Sequence, residues 1–356
     1  MLSAMKFARY AVAILPVLAS TLACQAATRL IFPDTATPLA YNPPPVSTTV
    51  VAPPSPTSTR ASTPEASCPS ELSSILKASK DVPSSLRKFP VVDTRNQIDI
   101  PLVDYTVSGN HVTDPIFYKV PPDLSPYQND LAMQKGAWEL FATLIPADQR
   151  TQLSEFHIIT DGPGGVQGAV AQADSSPVLW VLEVDIADVP DTKDFVFTLL
   201  HEFGHLLTLQ PSQVPPDIQI FNNPQDNYVY DRERNTCSTY FPGEGCSLGT
   251  SYINAFYDNF WLDIADEWSK IDSIQNDQKR LTRLQSFYYK YRDQFVDDYA
   301  VTSPSEDIAE TWAYYVLNPK PTGNSLFEQK IEFFYNYPEL VTLRNRILQN
   351  LCLANP

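Results

Sequence analysis

The stretch His201-Glu202-Phe203-Gly204-His205 lies inside an apolar run whose spacing predicts an α-helix. Two histidines four positions apart lie on the same face of a helix, so both imidazoles can bind one metal ion. The glutamate after the first histidine then lies beside the metal rather than on it. The stretch therefore predicts a zinc site in which Glu202 accepts a proton from water.

Signals at both ends of the run support a helix. Asp191 or Thr192 can cap its start, and Pro211 ends it. Gly204 disfavours helix, and its place beside the metal face indicates the close approach of another backbone or of a substrate. The apolar stripe consists of Phe195, Leu199, Phe203 and Leu206.

Composition limits the partners of the chain. Its 356 residues are 43% hydrophobic, which is enough for a large core, and its formal net charge is −16. Nucleic acid and anionic membrane surfaces both require a positively charged protein face. The charge therefore argues against either as a partner and fits a soluble extracellular protein.

The N-terminal residues indicate export. Lys6 and Arg9 precede the apolar segment Tyr10–Ala23, so residues 1–26 are expected to form a signal peptide. Cys24 stands where a bacterial lipoprotein is cleaved and lipidated, although the preceding leucine is one position later than that pattern normally has it. Two outcomes stay open, namely a lipoprotein signal that ends before Cys24 and simple cleavage at the end of the signal peptide.

A linker is expected to follow over residues 27–67. Residues 33–69 contain ten prolines and twelve serines or threonines, with almost no large apolar side chains. Such a stretch cannot form a core and is expected to be an extended spacer. The remaining residues, 68–356, are predicted to form one catalytic domain.

Within this domain, hydrophobic periodicity predicts an α+β fold. A short helix over Glu71–Ser79 and an extended region up to about Pro126 come first. The further predicted elements are a helix over Asn129–Phe141 running toward Arg150, strands at Glu155–Thr160, Val166–Gln172 and Val178–Asp185, and helical segments at Tyr252–Lys270, Gln278–Phe295 and Leu326–Leu351. We expect a small mixed sheet followed by a mainly helical C-terminal lobe. The strand Val166–Gln172, which is rich in small residues, is expected to form the edge of the sheet and to lie over the helix that carries His201 and His205.

Two histidines leave a zinc ion incompletely coordinated, and the other two, His111 and His157, both lie upstream. A downstream carboxylate is therefore expected as the third ligand. The extended motif of metzincins requires a glycine and a histidine where this chain has Thr208 and Pro211, so that class is excluded. The best candidate is the pair of glutamates four residues apart in Ser303-Pro304-Ser305-Glu306-Asp307-Ile308-Ala309-Glu310.

A His-Glu-x-x-His helix followed much later by this acidic pair resembles the gluzincin metallopeptidases. The resemblance implies a zincin-like fold, with Glu306 as the third zinc ligand and Glu310 as the acid that orients His201. The second motif is also similar to the catalytic domain of anthrax toxin lethal factor and its relatives, which have a tyrosine seven residues before the ligand. That position here is Tyr299, and the resemblance implies that its hydroxyl stabilises the oxyanion.

Other interpretations of the downstream motif stay open. Ser303, Pro304 and Glu306 also form an N-cap, a first helical proline and a capping-box acid in their preferred positions. An aspzincin-like site would instead use one of three aspartates as the ligand: Asp297, Asp298 or Asp307.

The functional expectation is a secreted or surface-anchored zinc endopeptidase that uses a zinc-activated water. It would hold one Zn²⁺ per chain, act on protein or peptide substrates as a monomer, and touch a membrane only through a lipid on Cys24. The competing hypothesis is a catalytically inactive surface binding protein with a structural zinc. Such a site would require a fourth protein ligand, for which Asp298 and Glu310 are the candidates.

Four cysteines remain once Cys24 is removed or lipidated, and an oxidising compartment favours their pairing. We predict one disulfide between Cys237 and Cys246, closing a short loop, and a second between Cys68 and Cys352, joining the two ends of the domain. The chain-entropy estimate for the second is about 5 kcal/mol of stability. Non-reducing peptide mapping should recover a cross-linked peptide with Cys68 and Cys352, whereas free thiols at these positions in the oxidised, denatured protein would contradict the pairing.

Overall fold

The computed structural model describes residues 99–162 and 165–351. The predicted signal peptide, linker, first helix and Cys68–Cys352 disulfide lie outside these residues. All described residues belong to one compact unit. Among the described helices, none combines the length and the apolar character needed to cross a membrane.

Five strands form one mixed sheet. They are β1 (Ile100–Ser108), β2 (His111–Phe117), β3 (Leu153–Thr160), β4 (Gly168–Ala173) and β5 (Ser176–Asp185). Their spatial order is β2-β1-β3-β5-β4, and only β3 and β5 run parallel. Because β4 pairs with β5 alone, it forms one edge of the described sheet.

The three strands predicted from alternation correspond to β3, β4 and β5, with ends shifted by one or two residues. The hairpin of β1 and β2 was predicted only as an extended region. Its two-residue turn, Gly109-Asn110, is a known hairpin signal, and Gly109 has the positive φ of 61° that such turns require. Each of these strands contains a proline, at position 101 in β1 and at position 115 in β2. Because proline usually lies at strand ends or in edge strands, the sequence pattern did not predict strands here.

Eleven α-helices accompany the sheet in the described part of the chain. They are α1 (Ser125–Asn129), α2 (Leu131–Leu144), α3 (Thr192–Leu209), α4 (Ile218–Asn222), α5 (Asn227–Thr236), α6 (Tyr252–Phe260), α7 (Leu262–Asp272), α8 (Asp277–Tyr291), α9 (Pro304–Leu317), α10 (Leu326–Phe333) and α11 (Pro338–Asn350). The fold is thus α+β and mostly helical, as expected.

Two predicted helical segments are each divided into two helices. The first breaks at Trp261, whose indole is fully buried and donates a hydrogen bond to Asp307 Oδ2 over 2.8 Å. The second breaks at a 3₁₀ turn, Phe334–Asn336, just before Pro338. In both segments, hydrophobic residues recur at helical spacing on either side of the break. The spacing alone therefore does not predict where one helix ends and the next begins.

The helix that carries the histidines is the long helix α3. Asp191 caps it by accepting a hydrogen bond from the backbone nitrogen of Asp194, as predicted, and the helix ends just before Gln210 and Pro211. Every residue from Thr198 to Leu209 is buried, which explains why this helix is apolar almost all round.

Helix α9 packs against α3 and is held from its other side by α10. Lys330 of α10 and Asp307 of α9 form a fully buried ion pair with a distance of 2.6 Å between Nζ and Oδ2. The predicted disulfide between Cys237 and Cys246 is confirmed and closes the loop between α5 and α6.

Candidate metal centre

The two histidines of α3 present the same ring nitrogen to one point. His201 and His205 are 6% and 7% exposed, and their Nε2 atoms lie 3.0 Å apart. This is the arrangement expected for two side chains one helical turn apart.

Glu306 of α9 completes the group across 101 residues of sequence. Its Oε2 lies 3.0 Å from His201 Nε2 and 3.2 Å from His205 Nε2. Ser303 caps α9, because its Oγ accepts a hydrogen bond from the backbone nitrogen of Glu306. The carboxylate itself is directed to the histidines.

The donor set fits a metal ion. Three atoms that carry electron pairs lie within 3.0 to 3.2 Å of one another, and one proton can bridge only two of them. A tetrahedral ion with bonds of about 2.1 Å would separate its ligands by about 3.4 Å, close to the observed spacing. His201, His205 and Glu306 could therefore hold a metal ion.

Gly204 allows α9 to come close enough. A Cβ atom at this position would stand 2.9 Å from Ala309 Cα, a distance that real Cβ atoms essentially never show, and 3.3 Å from Ala309 Cβ. The expected close approach of another backbone is therefore that of α9. Residues 306 and 310, on either side of Ala309, are thereby brought beside His201.

Glu310 occupies the position that the resemblance implies. Its Oε1 lies 3.1 Å from His201 Nδ1, the ring nitrogen that faces away from Glu306. Burial lowers the pKa of the His201 imidazole, but the charge of Glu310 and the hydrogen bond to Glu306 outweigh it and raise the pKa well above its usual value.

Glu202 is buried beside the edge strand. It is 5% exposed, and its Cγ lies 3.4 Å from where a Cβ on Gly168 of β4 would stand. Burial raises the pKa of its carboxyl, although the charges of His201 and His205 lower it. The sequence analysis did not single out Gln167 or Thr198. In the structure, Thr198 Oγ1 donates a hydrogen bond to Gln167 Oε1 over 2.7 Å, which connects α3 to the residue that precedes β4.

Tyr299 reaches the site because the chain turns immediately after it. A 3₁₀ turn, Ala300–Thr302, lies between Tyr299 and α9, and the Tyr299 ring centre lies 5.7 Å from that of His201. The charge of Glu306, followed by burial, raises the pKa of the Tyr299 hydroxyl well above its usual value. A phenol whose pKa is raised in this way keeps its proton at neutral pH.

The aspartates of the alternative site have other partners. Asp307 pairs with Lys330, and Asp297 Oδ1 accepts hydrogen bonds from the backbone nitrogens of Tyr299 and Ala300. Asp298 is not part of the donor group found among the described residues. The geometry therefore favours Glu306 over all three aspartates as the third ligand.

The contact at Gly204 leads to a prediction. Gly204→Ala should push α9 away from α3, destabilise the protein by about 1 to 3 kcal/mol and draw Glu306 back from the histidines. Denaturant unfolding and chelator competition for a bound metal ion would measure the two effects.

Gly136→Ala in α2 is the matched control, since a Cβ there meets nothing within 4 Å. It should leave metal affinity unchanged and be neutral or stabilising by up to about 1 kcal/mol. If Gly204→Ala behaved like this control, the contact with Ala309 would not set the site.

Comparison with protein-family models, with curated proteins and with solved structures finds no match to this chain. The arrangement of the donor group and its neighbours therefore carries the functional conclusion.

Proposed function

We propose that the protein is a zinc-dependent endopeptidase of the gluzincin type, secreted or anchored at the cell surface. The observation that carries this proposal is the convergence of three donors, His201, His205 and Glu306, beside a buried glutamate, Glu202. A motif in sequence supplies two of these donors, and tertiary packing supplies the third.

Zinc is the metal proposed because two imidazoles and one carboxylate are a common ligand set of catalytic zinc sites. When bound, zinc would act as a Lewis acid that lowers the pKa of water and polarises a carbonyl. His201 and His205 would hold the ion through Nε2, and Glu306 through a carboxylate oxygen. Glu310 would keep the His201 ring in the required orientation through Nδ1.

Glu202 is the proposed proton carrier. Its neighbours on α3 include both histidine ligands, so we expect its carboxylate to lie beside the point where a water would attack a peptide carbonyl. It would accept the proton of that water and deliver it to the leaving amine. Tyr299, which stays protonated, would donate a hydrogen bond to the oxygen on which negative charge develops.

The edge strand β4 supports a peptide as the substrate. Among the described strands, β4 pairs only with β5. At Gly168 the backbone of β4 lies close to Thr198 and Glu202 of α3. An extended peptide could therefore add to this edge as another strand and pass the donor group. The strongly acidic chain argues against nucleic acid as a partner, and we propose a monomer with one Zn²⁺ per chain.

The second candidate is a binding protein with a structural zinc, which would require a fourth protein ligand. Among the described residues the donor group has three members. One suggested fourth ligand, Glu310, already lies against His201 Nδ1, so the geometry favours the enzyme.

The first prediction separates the base from the ligand. Glu202→Gln should abolish cleavage of a peptide library while leaving about one zinc per chain, because the amide can neither accept nor return the proton. Glu306→Ala should lose the zinc itself. Metal analysis that shows unchanged zinc in Glu306→Ala would remove Glu306 from the site.

The second prediction concerns the phenol. Tyr299→Phe should lower turnover by about 10²- to 10³-fold with little change in zinc content or substrate affinity, because its hydroxyl meets charge that develops only in the transition state. Tyr228→Phe on α5, where the ring is 75% exposed, should match the wild type. Near-normal turnover of Tyr299→Phe with reduced thermal stability would instead mark a core tyrosine.

A further inference from the structure

A cavity of about 190 Å³ lies between helices α5, α6 and α7 and the start of α9. Its wall also includes part of the loop that the disulfide between Cys237 and Cys246 closes. Six aromatic side chains line it: Tyr230, Tyr240, Phe241, Tyr257, Trp261 and Trp268. Ligand sites in proteins typically combine such an apolar wall with a few polar groups, among which Arg234 and Asp272 stand here.

The aromatic side chains pack against one another, so the cavity is formed before a ligand arrives. The rings of Tyr240 and Tyr257 are stacked with their centres 4.5 Å apart, and those of Trp261 and Trp268 meet edge to face at 5.8 Å. The backbone nitrogen of Tyr240 also donates a hydrogen bond to Asn254 Oδ1 over 2.9 Å. Collapse of the cavity would disturb these contacts.

The cavity is closed on one side and open on the other. Trp261 and Pro304 are buried and form its inner wall, next to α9. Tyr230, Arg234 and Asp272 are half-buried and therefore partly in contact with solvent. A ligand can enter from the side of α5 and reach the inner wall.

Size and charge favour one neutral ring as the ligand. Apolar cavities of about 150 Å³ bind benzene in other proteins, so about 190 Å³ holds a single aromatic ring with little space left. Among the described residues that line the cavity, Arg234 and Asp272 are the charged ones, and their charges are opposite. The wall therefore gives no net attraction to an ion, whereas its rings offer edge-to-face contacts to another ring.

The inner wall is bonded to the part of the chain that supplies two residues of the candidate metal centre. Trp261 Nε1 donates a hydrogen bond to Asp307 Oδ2 over 2.8 Å, and Trp268 Nε1 donates one to the carbonyl oxygen of Val301 over 3.0 Å. Both acceptors lie within residues 299–307, the segment that contains the proposed oxyanion donor and the proposed third ligand. A ring in the cavity would therefore lie beside this segment.

We propose that this cavity binds a single neutral aromatic ring. Two sources share this chemistry, namely an aromatic side chain of a peptide substrate and a free small aromatic molecule. The first source rests on the proposed function and adds a preference among peptides to it. It places the aromatic residue within a few positions of the cleaved bond, because Pro304 of the inner wall is two residues from Glu306 and an extended peptide advances about 3.3 Å per residue.

Four capped amino acids test ring binding in the full-length protein, with no need for peptide cleavage. They are the Nα-acetyl amides of phenylalanine, cyclohexylalanine, alanine and lysine. Tryptophan fluorescence follows binding, because Trp261 and Trp268 line the cavity, and calorimetry gives the affinities. The phenylalanine compound should bind about 10- to 100-fold more tightly than the alanine compound. It should bind about 2- to 10-fold more tightly than the cyclohexylalanine compound, whose ring is not aromatic.

Substitution of Ala265 places the binding in this cavity. Ala265 of α7 lines it, so Ala265→Phe would fill it with a ring of the protein itself and should abolish binding of the phenylalanine compound. The smaller change Ala265→Leu should weaken that binding. Ala132→Phe, at an exposed position on α2, adds the same ring outside the cavity and should keep the wild-type affinity. Circular dichroism checks that each variant is folded.

Cleavage of a peptide library by the zinc-loaded protein separates the two sources. A substrate side chain is the source if an aromatic residue at one fixed position raises kcat/KM about 10- to 100-fold over alanine, and if Ala265→Phe removes this preference at wild-type zinc content. A free molecule is the source if the phenylalanine compound binds and no position of the library prefers an aromatic residue.

Three results would overturn the inference: equal binding of the phenylalanine and alanine compounds, tighter binding of the lysine compound, or phenylalanine binding that survives in both Ala265 variants. Peptide cleavage by a protein that binds no ring would overturn it and leave the proposed function standing. Ring binding that Ala265→Phe abolishes, in a protein that cleaves no peptide, would uphold this inference while refuting the proposed enzyme.

Discussion

The contact between Gly204 of α3 and Ala309 of α9 is the constraint on which the candidate metal centre depends. Because the glycine has no Cβ, the two helices approach until Ala309 Cα lies where a side chain would otherwise stand. Glu306 and Glu310, one turn apart on α9, then reach the two nitrogens of the same imidazole, at 3.0 Å from Nε2 and 3.1 Å from Nδ1 of His201. A wider spacing between the helices would lose both contacts at once.

Helix α9 is also the element that joins the site to the helical lobe. Glu306 faces α3, whereas the next residue, Asp307, faces Lys330 of α10 and the indole of Trp261. Removing both charges of this buried pair from water is costly, and the attraction between them need not exceed that cost. Its consequence is orientation, because the pair favours the rotation of α9 that directs Glu306 toward the histidines.

The charges around the histidines suit a cation at their centre. Glu202, Glu306 and Glu310 bring three carboxylates close to two imidazoles, and their repulsion contributes to the raised pKa values of Glu202 and Tyr299. A divalent ion there would become the largest local charge and change the balance of every neighbouring group. The acidic surroundings and the three converging donors thus have one physical explanation.

The sequence by itself determined the parts that depend on local order: the helix of His201 and His205, the α+β class, the strands β3 to β5 and the short disulfide loop. The helical spacing of hydrophobic residues and the cap at Asp191 depend only on residues close together in the chain. They can therefore be predicted without knowledge of the fold. The sequence also marked Glu306, but it left capping and the three aspartates as alternatives. Only the tertiary structure decided the rest, because the approach of α9 at Gly204 and the pairing of Asp307 with Lys330 arise between segments far apart in the chain. No local pattern encodes how closely two helices pack.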